Sequence, residues 1–281
     1  MTLQQALTQA RMRLAACPDV ADPILESEVL LRYTLHLTRA QLHLDLHHEL
    51  DASQALQMHQ WTERRCQGEP LAYIIGCREF FALDFYVDSR VLIPRPETEL
   101  LVEEALRISR QNPQGIIADI GTGSGAIAVS LAKSLPRVKI YAVDISAAAL
   151  EVAAINSRNH GVTDRLILLQ GDLLDPLPEK AGLILANLPY VPRTEWQAMP
   201  SAKYEPELAL NGGDDGLDQV FRLGRQLNTQ LAAGGSALLE IGLGQDRAVT
   251  AFFHRRYPSA SIETLPDLAG IPRVVKLRLF P

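Results

Sequence analysis

The chain has 281 residues, of which 47% are hydrophobic, and its formal net charge at pH 7 is -6. This length suits one large or two modest domains, and the acidic balance excludes an overall basic field that would attract nucleic acid, although not a local basic patch. Three widely spaced cysteines, Cys17, Cys66 and Cys77, indicate reduced thiols rather than a disulfide framework. With no signal-peptide pattern and no run of membrane-spanning length, we expect a soluble cytoplasmic protein.

The first 69 residues predict a small helical bundle. An apolar stripe at helical spacing comprises Leu3, Leu7, Ala10 and Leu14. Asp22 followed by Pro23 is typical of a second helix start, a short helix opens at Thr38 or Arg39, and Asp51 caps another that runs towards Arg65. Because the segment carries no catalytic motif, we assign residues 1–69 to a helical domain for recognition or packing.

Two histidines in this region, His43 and His47, are four residues apart and could in principle hold a metal on a helix. No third ligand is evident, so a solvated helix face is the favoured interpretation. We therefore assign no metal site to the chain.

Residues 70–94 change character, because aromatic and β-branched residues flank Leu83-Asp84. This composition predicts a β-hairpin that links the helical domain to the rest of the chain. Residues 92–99 then read Leu-Ile-Pro-Arg-Pro-Glu-Thr-Glu. Two prolines one residue apart make a stiff loop that leads into a helix, which we interpret either as a rigid lid beside a cofactor or as a plain linker.

Residues 95–281 alternate between predicted helices and strands, which indicates βαβ units around a mostly parallel sheet. We predict strands at 116–120, 139–143, 166–170, 183–186, 237–241, 262–264 and 274–279. The last two have no helix between them, so the final strand is expected to run antiparallel.

A glycine-rich loop follows the first of these strands. It comprises Asp119, Ile120, Gly121, Thr122, Gly123, Ser124 and Gly125. Glycines at a strand-to-helix turn permit a tight bend and let a ligand lie against the backbone, so the loop predicts a nucleotide-like cofactor. The alternative is a glycine-rich packing turn. Asp119 favours a ligand with a positively charged group, such as an α-amino group, over a pyrophosphate.

Acidic residues end the next two strands. Asp144 is placed like the carboxylate that binds ribose hydroxyls in dinucleotide folds. Asp172 could accept a hydrogen bond from an adenine amino group, and Leu173 could cover the ring. Both carboxylates could instead cap the following helices.

The fourth strand stops at Asn187, and Leu188, Pro189 and Tyr190 follow. Pro189 cannot donate to a sheet ladder, so the chain leaves the sheet there. The Asn187 side-chain oxygen and the Leu188 backbone carbonyl are two acceptors that could hold both hydrogens of one planar NH₂ group, with the Tyr190 ring beside it. An ordinary strand-ending turn would use similar residues.

The order of these four strand-end elements resembles the class I S-adenosylmethionine-dependent methyltransferases. The Asn-x-Pro-Tyr element is similar to that of the branch that methylates planar nitrogens in adenine, cytosine or glutamine. Further stretches resemble the HemK/PrmC family, and these lie at residues 69–76, 78–81, 92–99, 204–206, 209–210, 213–216, 267–270 and 273–275. The resemblance covers the chain from about residue 69 to its end.

This resemblance implies a Rossmann-like, mostly parallel seven-stranded catalytic domain with an N-terminal helical bundle and S-adenosyl-L-methionine as cofactor. It implies methylation of the side-chain amide nitrogen (N5) of the glutamine in the Gly-Gly-Gln motif of class I peptide chain release factors, the proteins of translation termination. The helical domain would help to engage the factor, and no direct nucleic-acid or membrane partner is expected. Asn187, Leu188, Pro189 and Tyr190 would form the catalytic and substrate-binding set, and Asn187 would also belong to the cofactor-binding set.

One departure from the family pattern is Leu188, which stands where Asn-Pro-Pro-Tyr has its first proline. The acceptor needed there is a backbone carbonyl, which leucine also has, so we expect activity to survive with a looser turn. The alternatives are a ribosomal-protein glutamine methyltransferase, a DNA adenine N6-methyltransferase, and a binding module that has lost activity. The acidic charge opposes the DNA enzyme.

Overall fold

The computed structural model describes residues 1–111 and 115–280. Contacts divide the chain into two compact units, Met1–Cys77 and Arg78–Pro281. The first unit therefore extends past the predicted helical domain of 1–69. No helix within the described residues is long and apolar enough to cross a membrane.

The first unit is built from helices whose starts follow the predicted capping signals. They are α1 (Leu3–Ala15), α2 (Pro23–Leu35), α3 (Arg39–Leu44), α4 (Ala52–Cys66) and α5 (Leu71–Ile75). The Asp22 side chain accepts from the backbone N–H groups of Ile24 and Leu25, and Asp51 accepts from Gln54. The predicted apolar stripe of α1 lies in the core of this unit. Helix α5 is a correction, because it occupies residues that were assigned to the hairpin linker.

The prediction of three reduced thiols is wrong for two of them. Cys17 and Cys66 form a disulfide, with their Cα atoms 5.3 Å apart. The bond joins the end of α4 to the segment after α1, positions that lie 49 residues apart in sequence. Spacing along the chain did not reveal it, because the two cysteines meet only after the helices have packed.

The hairpin has strands β1 (Cys77–Phe80) and β2 (Leu83–Tyr86). Phe81 and Ala82 both have positive φ values, 51° and 56°, so these two residues form the turn. Leu83 and Asp84 therefore belong to a strand and do not interrupt the hairpin. Phe80 and Phe85 are buried in the core of the second unit.

The remaining elements of the second unit alternate as expected. They are α6 (Glu99–Gln111), β3 (Ile116–Ile120), α7 (Ala126–Ser134), β4 (Lys139–Asp144), α8 (Ala147–Asn159), β5 (Leu166–Gln170), β6 (Ala181–Ala186), α9 (Arg193–Ala198), α10 (Glu207–Leu210), α11 (Asp218–Gln230), β7 (Leu231–Glu240), α12 (Asp246–Arg256), β8 (Ser261–Pro266) and β9 (Pro272–Arg278). Short 3-10 helices lie at Pro96–Thr98 and Pro200–Lys203.

Within the described residues, β3 to β9 form one seven-stranded sheet in the order β5-β4-β3-β6-β7-β9-β8. The first five strands in this order are parallel, and β9 is antiparallel to both of its neighbours. The predicted class I methyltransferase architecture, including its antiparallel final strand, is confirmed. Alternate residues of β3, β4 and β6 enter two separate apolar cores, one on each face of the sheet.

The strand order reverses direction between β3 and β6. The chain moves outward from β3 to β4 and β5, and then returns to place β6 on the other side of β3. Ligands bind to such sheets in the crevice at the carboxyl ends of the strands beside this reversal. The fold therefore brings together the loops that follow Ile120 and Ala186, which are paired residues of β3 and β6.

Candidate active site

A cavity of about 190 Å³ opens at the carboxyl ends of β3, β4, β5 and β6. This volume is roughly 13 to 19 times the 10–15 Å³ that a single water needs, so the space suits an organic ligand. Its walls include most of the residues predicted from the strand ends, namely Gly121, Thr122, Gly123, Ser124, Asp144, Asp172, Leu173, Asn187, Leu188 and Pro189.

The glycine loop is shaped by close contact with the loop after β6. Gly121 has a φ of 72°, and a Cβ atom there would lie 3.0 Å from Cδ2 of Leu188. The Gly123 N–H donates to Oδ2 of Asp144 at 2.8 Å, which ties the loop to the end of β4. Gly125 has a φ of 80° and packs against Ala153 of α8, so it shapes the turn without lining the cavity.

Asp119 lies beneath this loop and is fully buried. Its Oδ2 accepts from the Thr122 hydroxyl at 2.6 Å, whereas its Oδ1 has no hydrogen-bond partner within the described residues. The pKa of Asp119 is raised to about 7, mainly by burial and to a smaller extent by the nearby Asp144 carboxylate, against the opposing effect of the hydrogen bond from Thr122. A positively charged ligand group above Thr122 would relieve this cost, although Asp119 itself does not line the cavity.

Asp144 presents its carboxylate to the cavity between two backbone donors. Besides Gly123, the Ser146 N–H donates to its Oδ1 at 2.9 Å. Burial raises its pKa, and these backbone hydrogen bonds oppose the increase. Each oxygen can accept a further hydrogen bond, as two ribose hydroxyls would require.

Asp172 is engaged differently from the prediction, because Arg222 of α11 pairs with its carboxylate. Both side chains line the cavity. A second guanidinium nitrogen of Arg222 donates to Gln219 at 2.8 Å. Leu173 has a φ of 49°, and this unusual backbone conformation places a buried apolar residue in the cavity wall.

The loop after β6 places Asn187 beside the glycine loop. Its Nδ2 donates to the Thr98 hydroxyl at 3.0 Å, so the side-chain oxygen remains available as an acceptor. Leu188 is buried in the core beside Ile120 and Ala186, and it also lines the cavity. The two residues predicted to accept from a planar NH₂ group, Asn187 and Leu188, are therefore adjacent in one cavity wall.

Tyr190 lies outside the set of residues that line the cavity. Its hydroxyl donates to Oε1 of Glu240 at 3.2 Å, and its ring lies against Gly242. Burial and the Glu240 carboxylate raise the pKa of Tyr190 far above its usual range. The stacking role predicted for Tyr190 stays a prediction.

The proline loop of residues 92–99 contributes Leu92, Pro94, Arg95 and Thr98 to the cavity wall. Arg95 pairs with Glu205 at 2.6 Å, and the Ile93 N–H also donates to this buried carboxylate at 3.3 Å. The Tyr204-Glu205-Pro206 stretch, which we noted only as a family feature, thus supplies the anchor of the loop. This position agrees with the lid interpretation.

Other cavity residues were not singled out from the sequence. They include Arg90, Ile145, Ser146, Leu208, Gln219 and Arg222. Arg222 and Gln219 lie on one turn of α11, where charged and polar residues are typical of a solvated helix face. Only the fold, which places α11 beside the end of β5, distinguishes them from surface residues.

Comparison with known proteins supports this picture. Residues 5–76 match the family model of the PrmC N-terminal domain, and residues 96–200 match that of the methyltransferase small domain. The chain is 46% identical to the release factor glutamine methyltransferase of Moorella thermoacetica, over 97% of each protein. The chain belongs to the release factor glutamine methyltransferase family. The family's enzyme from Koribacter versatilis is 38% identical over 98% of each protein.

A solved methyltransferase from Pyrococcus furiosus superposes with a TM-score of 0.53, covering 78% of this chain and all of the other. At 14% identity this likeness shows the fold alone. The two segments of this chain that match the family models are the helical unit and the stretch of the second unit that carries the loops after β3, β4, β5 and β6.

Proposed function

We propose that this chain transfers a methyl group from S-adenosyl-L-methionine to the side-chain amide nitrogen (N5) of the glutamine in the Gly-Gly-Gln motif of class I peptide chain release factors. The observation that carries the proposal is the position of Asn187. Its amide is tied to Thr98 through Nδ2 and lies beside a glycine loop in one cavity, with its oxygen left as an acceptor.

S-adenosyl-L-methionine fits the donor set of this cavity. The Asp144 carboxylate suits the ribose hydroxyls, and the buried, under-compensated Asp119 suits a positively charged amino group near the Thr122 end of the loop. Asp172 would accept from the adenine amino group beside Arg222, and Leu173 would cover the ring. When bound, this cofactor supplies a methyl group on a positively charged sulfur.

An amide nitrogen is a poor nucleophile, because its lone pair is delocalised into the carbonyl group. We propose that catalysis is mainly positioning. Asn187 Oδ1 and the Leu188 carbonyl would each accept one N–H of the substrate and hold its lone pair in line with the methyl carbon. Once the nitrogen held by these two residues has accepted the methyl group that the cofactor would supply, the cofactor would leave as the neutral thioether and one N–H proton would pass to water.

The same two oxygens would stabilise the positive charge that develops on nitrogen during transfer. Pro189 would keep the turn in place, and Tyr190 would border the glutamine side chain. We assign the helical domain of residues 1–69 to engagement of the release factor, the 70–94 segment to the link, and residues 95–281 to catalysis. The substrate places the proposed activity in the cytoplasm.

A radiolabelled methyl assay tests this function directly. The purified protein is incubated with labelled cofactor and either a class I release factor or its Gly-Gly-Ala variant. We expect label in the Gly-Gly-Gln factor alone. Label in the Gly-Gly-Ala variant, in a ribosomal protein only, or in adenine of DNA would contradict the proposed substrate. Calorimetric titration with the cofactor separates an inactive binding module from a protein that does not bind it.

A further inference from the structure

A buried side-chain amide, that of Gln245, is hydrogen-bonded to the loop that carries the two proposed acceptors. Gln245 is the residue immediately before α12, and it is 9% exposed. It does not line the cavity, so it has no direct part in the reaction proposed above. An amide buried this far is tolerated only when its donors and its acceptor are satisfied, and the partners that satisfy it show what it holds.

The Gln245 amide joins three loops. Its Nε2 donates to the carbonyl oxygen of Tyr190 at 2.9 Å and to those of Asp215 and Gly216, each at 3.4 Å. Its Oε1 accepts from the Gly242 N–H at 2.7 Å. Tyr190 lies in the loop after β6, Asp215 and Gly216 precede α11, and Gly242 follows β7. One side chain therefore connects the segments that leave two neighbouring parallel strands.

Two glycines make room for this amide. Gly216 has a φ of 75°, and a Cβ atom there would collide with the carbonyl oxygen of Tyr190 and lie 2.7 Å from Nε2 of Gln245. A Cβ atom on Gly242 would lie 3.0 Å from Oε1 of Gln245 and 3.2 Å from the Tyr190 ring. Because only hydrogen fits easily at these two positions, the backbone of all three loops closes tightly around the amide.

The loop after β6 is fixed at both of its ends. At one end, Ala186 is the last residue of β6 that pairs in the sheet. At the other end, the Val191 N–H donates to the carbonyl oxygen of Leu210 at 3.0 Å, and the Gly212 N–H donates to that of Val191 at 2.9 Å. Only residues 187–190 lie between these anchors. Their backbone conformation therefore depends on how the second anchor is held.

A backbone acceptor depends on such an anchor more than a side chain does. The carbonyl of Leu188 has no rotamers of its own, so its direction is set by the dihedral angles of the residues around it. Pro189 restricts one of these angles, and the hydrogen bond to the carbonyl of Tyr190 restricts the next peptide unit. A displacement of about 1 Å at a reacting group can cost about a hundredfold in rate.

We propose that Gln245 is a positioning residue that fixes the loop after β6, and with it the direction in which Asn187 and the Leu188 carbonyl face the substrate nitrogen. This inference rests on the proposed function. The position requires a donor and an acceptor on one planar group, which glutamine supplies. Glutamate has the same shape, but it would place an acceptor oxygen against three carbonyl oxygens.

Steady-state methyl transfer by the full chain to a Gly-Gly-Gln release factor at pH 8 tests the proposal with Gln245→Glu. We expect kcat to fall about tenfold to a hundredfold, because the acceptors lose their alignment. The KM for the release factor and the Kd for S-adenosyl-L-methionine should stay within about threefold, since Gln245 does not line the cavity. A wild-type kcat in folded Gln245→Glu, or a loss confined to KM or Kd, would overturn the proposal.

Gln230→Glu is the matched control, because it makes the same chemical change elsewhere. Gln230 ends α11 and is half-buried, and its Nε2 donates to the carbonyl oxygen of Leu177 at 3.3 Å, outside the cavity wall. This variant should keep the wild-type kcat. If Gln245→Glu does not fold, as judged by circular dichroism, Gln245→Met replaces it. Methionine has a similar length, carries no charge and cannot donate, so kcat should again fall about tenfold or more.

Hydrogen exchange measures the position of the loop without any substrate. In Gln245→Glu, the amides of Val191 and Gly212 should exchange at least about tenfold faster than in wild type, because the segment they hold has lost its side-chain anchor. Gln230→Glu should exchange like wild type at both amides. Unchanged exchange in Gln245→Glu would overturn the proposal. If wild type does not methylate the release factor, the proposed function fails, whereas the exchange rates still decide whether Gln245 holds the loop.

A double-mutant cycle tests whether Gln245 acts through the acceptors. Once Asn187→Ala has removed one of them, Gln245→Glu should lower kcat by a smaller factor than it does in wild type, because less alignment remains to be lost. Fully multiplicative losses would contradict positioning of this pair.

Discussion

Among the described residues, two buried carboxylates of the second unit lack the ion-pair partners that the buried glutamate of the helical unit has, although Glu104 and Glu205 of the second unit are also ion-paired. In the helical unit, Glu28 is buried beside two guanidinium groups, Arg11 at 3.1 Å and Arg39 at 3.3 Å, with the His43 ring at 3.6 Å. In the second unit, Asp119 and Glu240 are more deeply buried, and neither forms an ion pair within residues 1–111 and 115–280. Burial raises the pKa of each to about 7.

This difference separates a unit arranged for stability from one arranged for chemistry. The helical unit adds capping boxes at Thr2, Thr38 and Asp51 and a disulfide to its ion pairs. The second unit has buried carboxylates near the cavity that have no cationic partner. A charged ligand or a polar substrate bound in the cavity can supply the missing interaction. Changes in the first unit should therefore alter stability, and changes in the second should mainly alter activity.

The disulfide offers the largest test of stability. Cys17→Ser should lower the free energy of unfolding of the helical unit by about 4 kcal/mol, the loss of loop-closure entropy expected for a loop of roughly 50 residues. Chemical denaturation under non-reducing conditions measures it, and reductant should bring wild type to the same stability. Cys77→Ser, which leaves the disulfide intact, should have little effect. Equal stability of Cys17→Ser and wild type would show that the disulfide does not stabilise the helical unit.

Asp119→Asn should increase the free energy of unfolding, whereas removing a charged group that has a partner usually decreases it. The pKa of Asp119 is raised from 3.8 to about 7, so the stability it contributes is full below about pH 4 and is lost as pH rises to about 7. The neutral asparagine avoids this loss. Without cofactor, the variant should gain on the order of 4 kcal/mol relative to wild type between pH 4 and 8, and its affinity for S-adenosyl-L-methionine should fall about tenfold.

Asp51→Asn, at a helix start in the first unit, is the matched control with the opposite sign. Hydrogen bonds from Ser53 and from the backbone of Gln54 lower the pKa of Asp51. The stability it contributes is therefore present above pH 4 and is lost as pH falls. Denaturation of both variants across this range measures the contrast, and parallel pH dependences would contradict it.

Asn187→Ala should separate activity from stability most clearly. The substitution removes one of the two proposed acceptors, so methyl transfer to the release factor should fall about a hundredfold, as when one donor is removed from an oxyanion hole. Unfolding and cofactor affinity should stay near wild-type values. A folded variant that methylates at the wild-type rate would refute the role assigned to Asn187.

Much of the fold was predictable because the hydrophobic pattern and the turn residues agree. The predicted bounds of β3 and β5 match the structure, since each is a short buried run between turn signals. The start of β7 was harder to predict. The strand begins at Leu231, whereas the sequence pattern predicted a strand at 237–241. Leu231 pairs with Ala181 of β6, the register shifts across the Ala-Ala-Gly-Gly segment, which has little β propensity, and the pairing resumes at Ser236.

Some residues of the candidate site could likewise be predicted from the sequence, and others could not. The residues at strand ends could be predicted, because parallel strands bring their carboxyl ends to one edge of the sheet. The roles of Thr98, Glu205 and Glu240 could not, since each depends on a partner far away in sequence. The disulfide was missed for the same reason.

Leu188→Pro restores the family's usual residue and should produce the smallest effect. Proline would stiffen the turn and contribute about 0.4–1 kcal/mol through the unfolded state. However, Leu188 is 5% exposed and packs in the core, so the loss of one buried carbon should cost about 0.8 kcal/mol. The two effects nearly cancel, and denaturation should show a change below about 1 kcal/mol.

Methyl transfer by Leu188→Pro should stay within about twofold of wild type, because the backbone carbonyl is retained and only its support changes. Leu188→Ala is the contrast, since it removes packing without adding rigidity and should cost about 2–3 kcal/mol of stability. A tenfold loss of kcat in Leu188→Pro at unchanged stability would mean that the leucine side chain itself positions the substrate. The Leu188 backbone carbonyl would then not be sufficient to hold the substrate nitrogen.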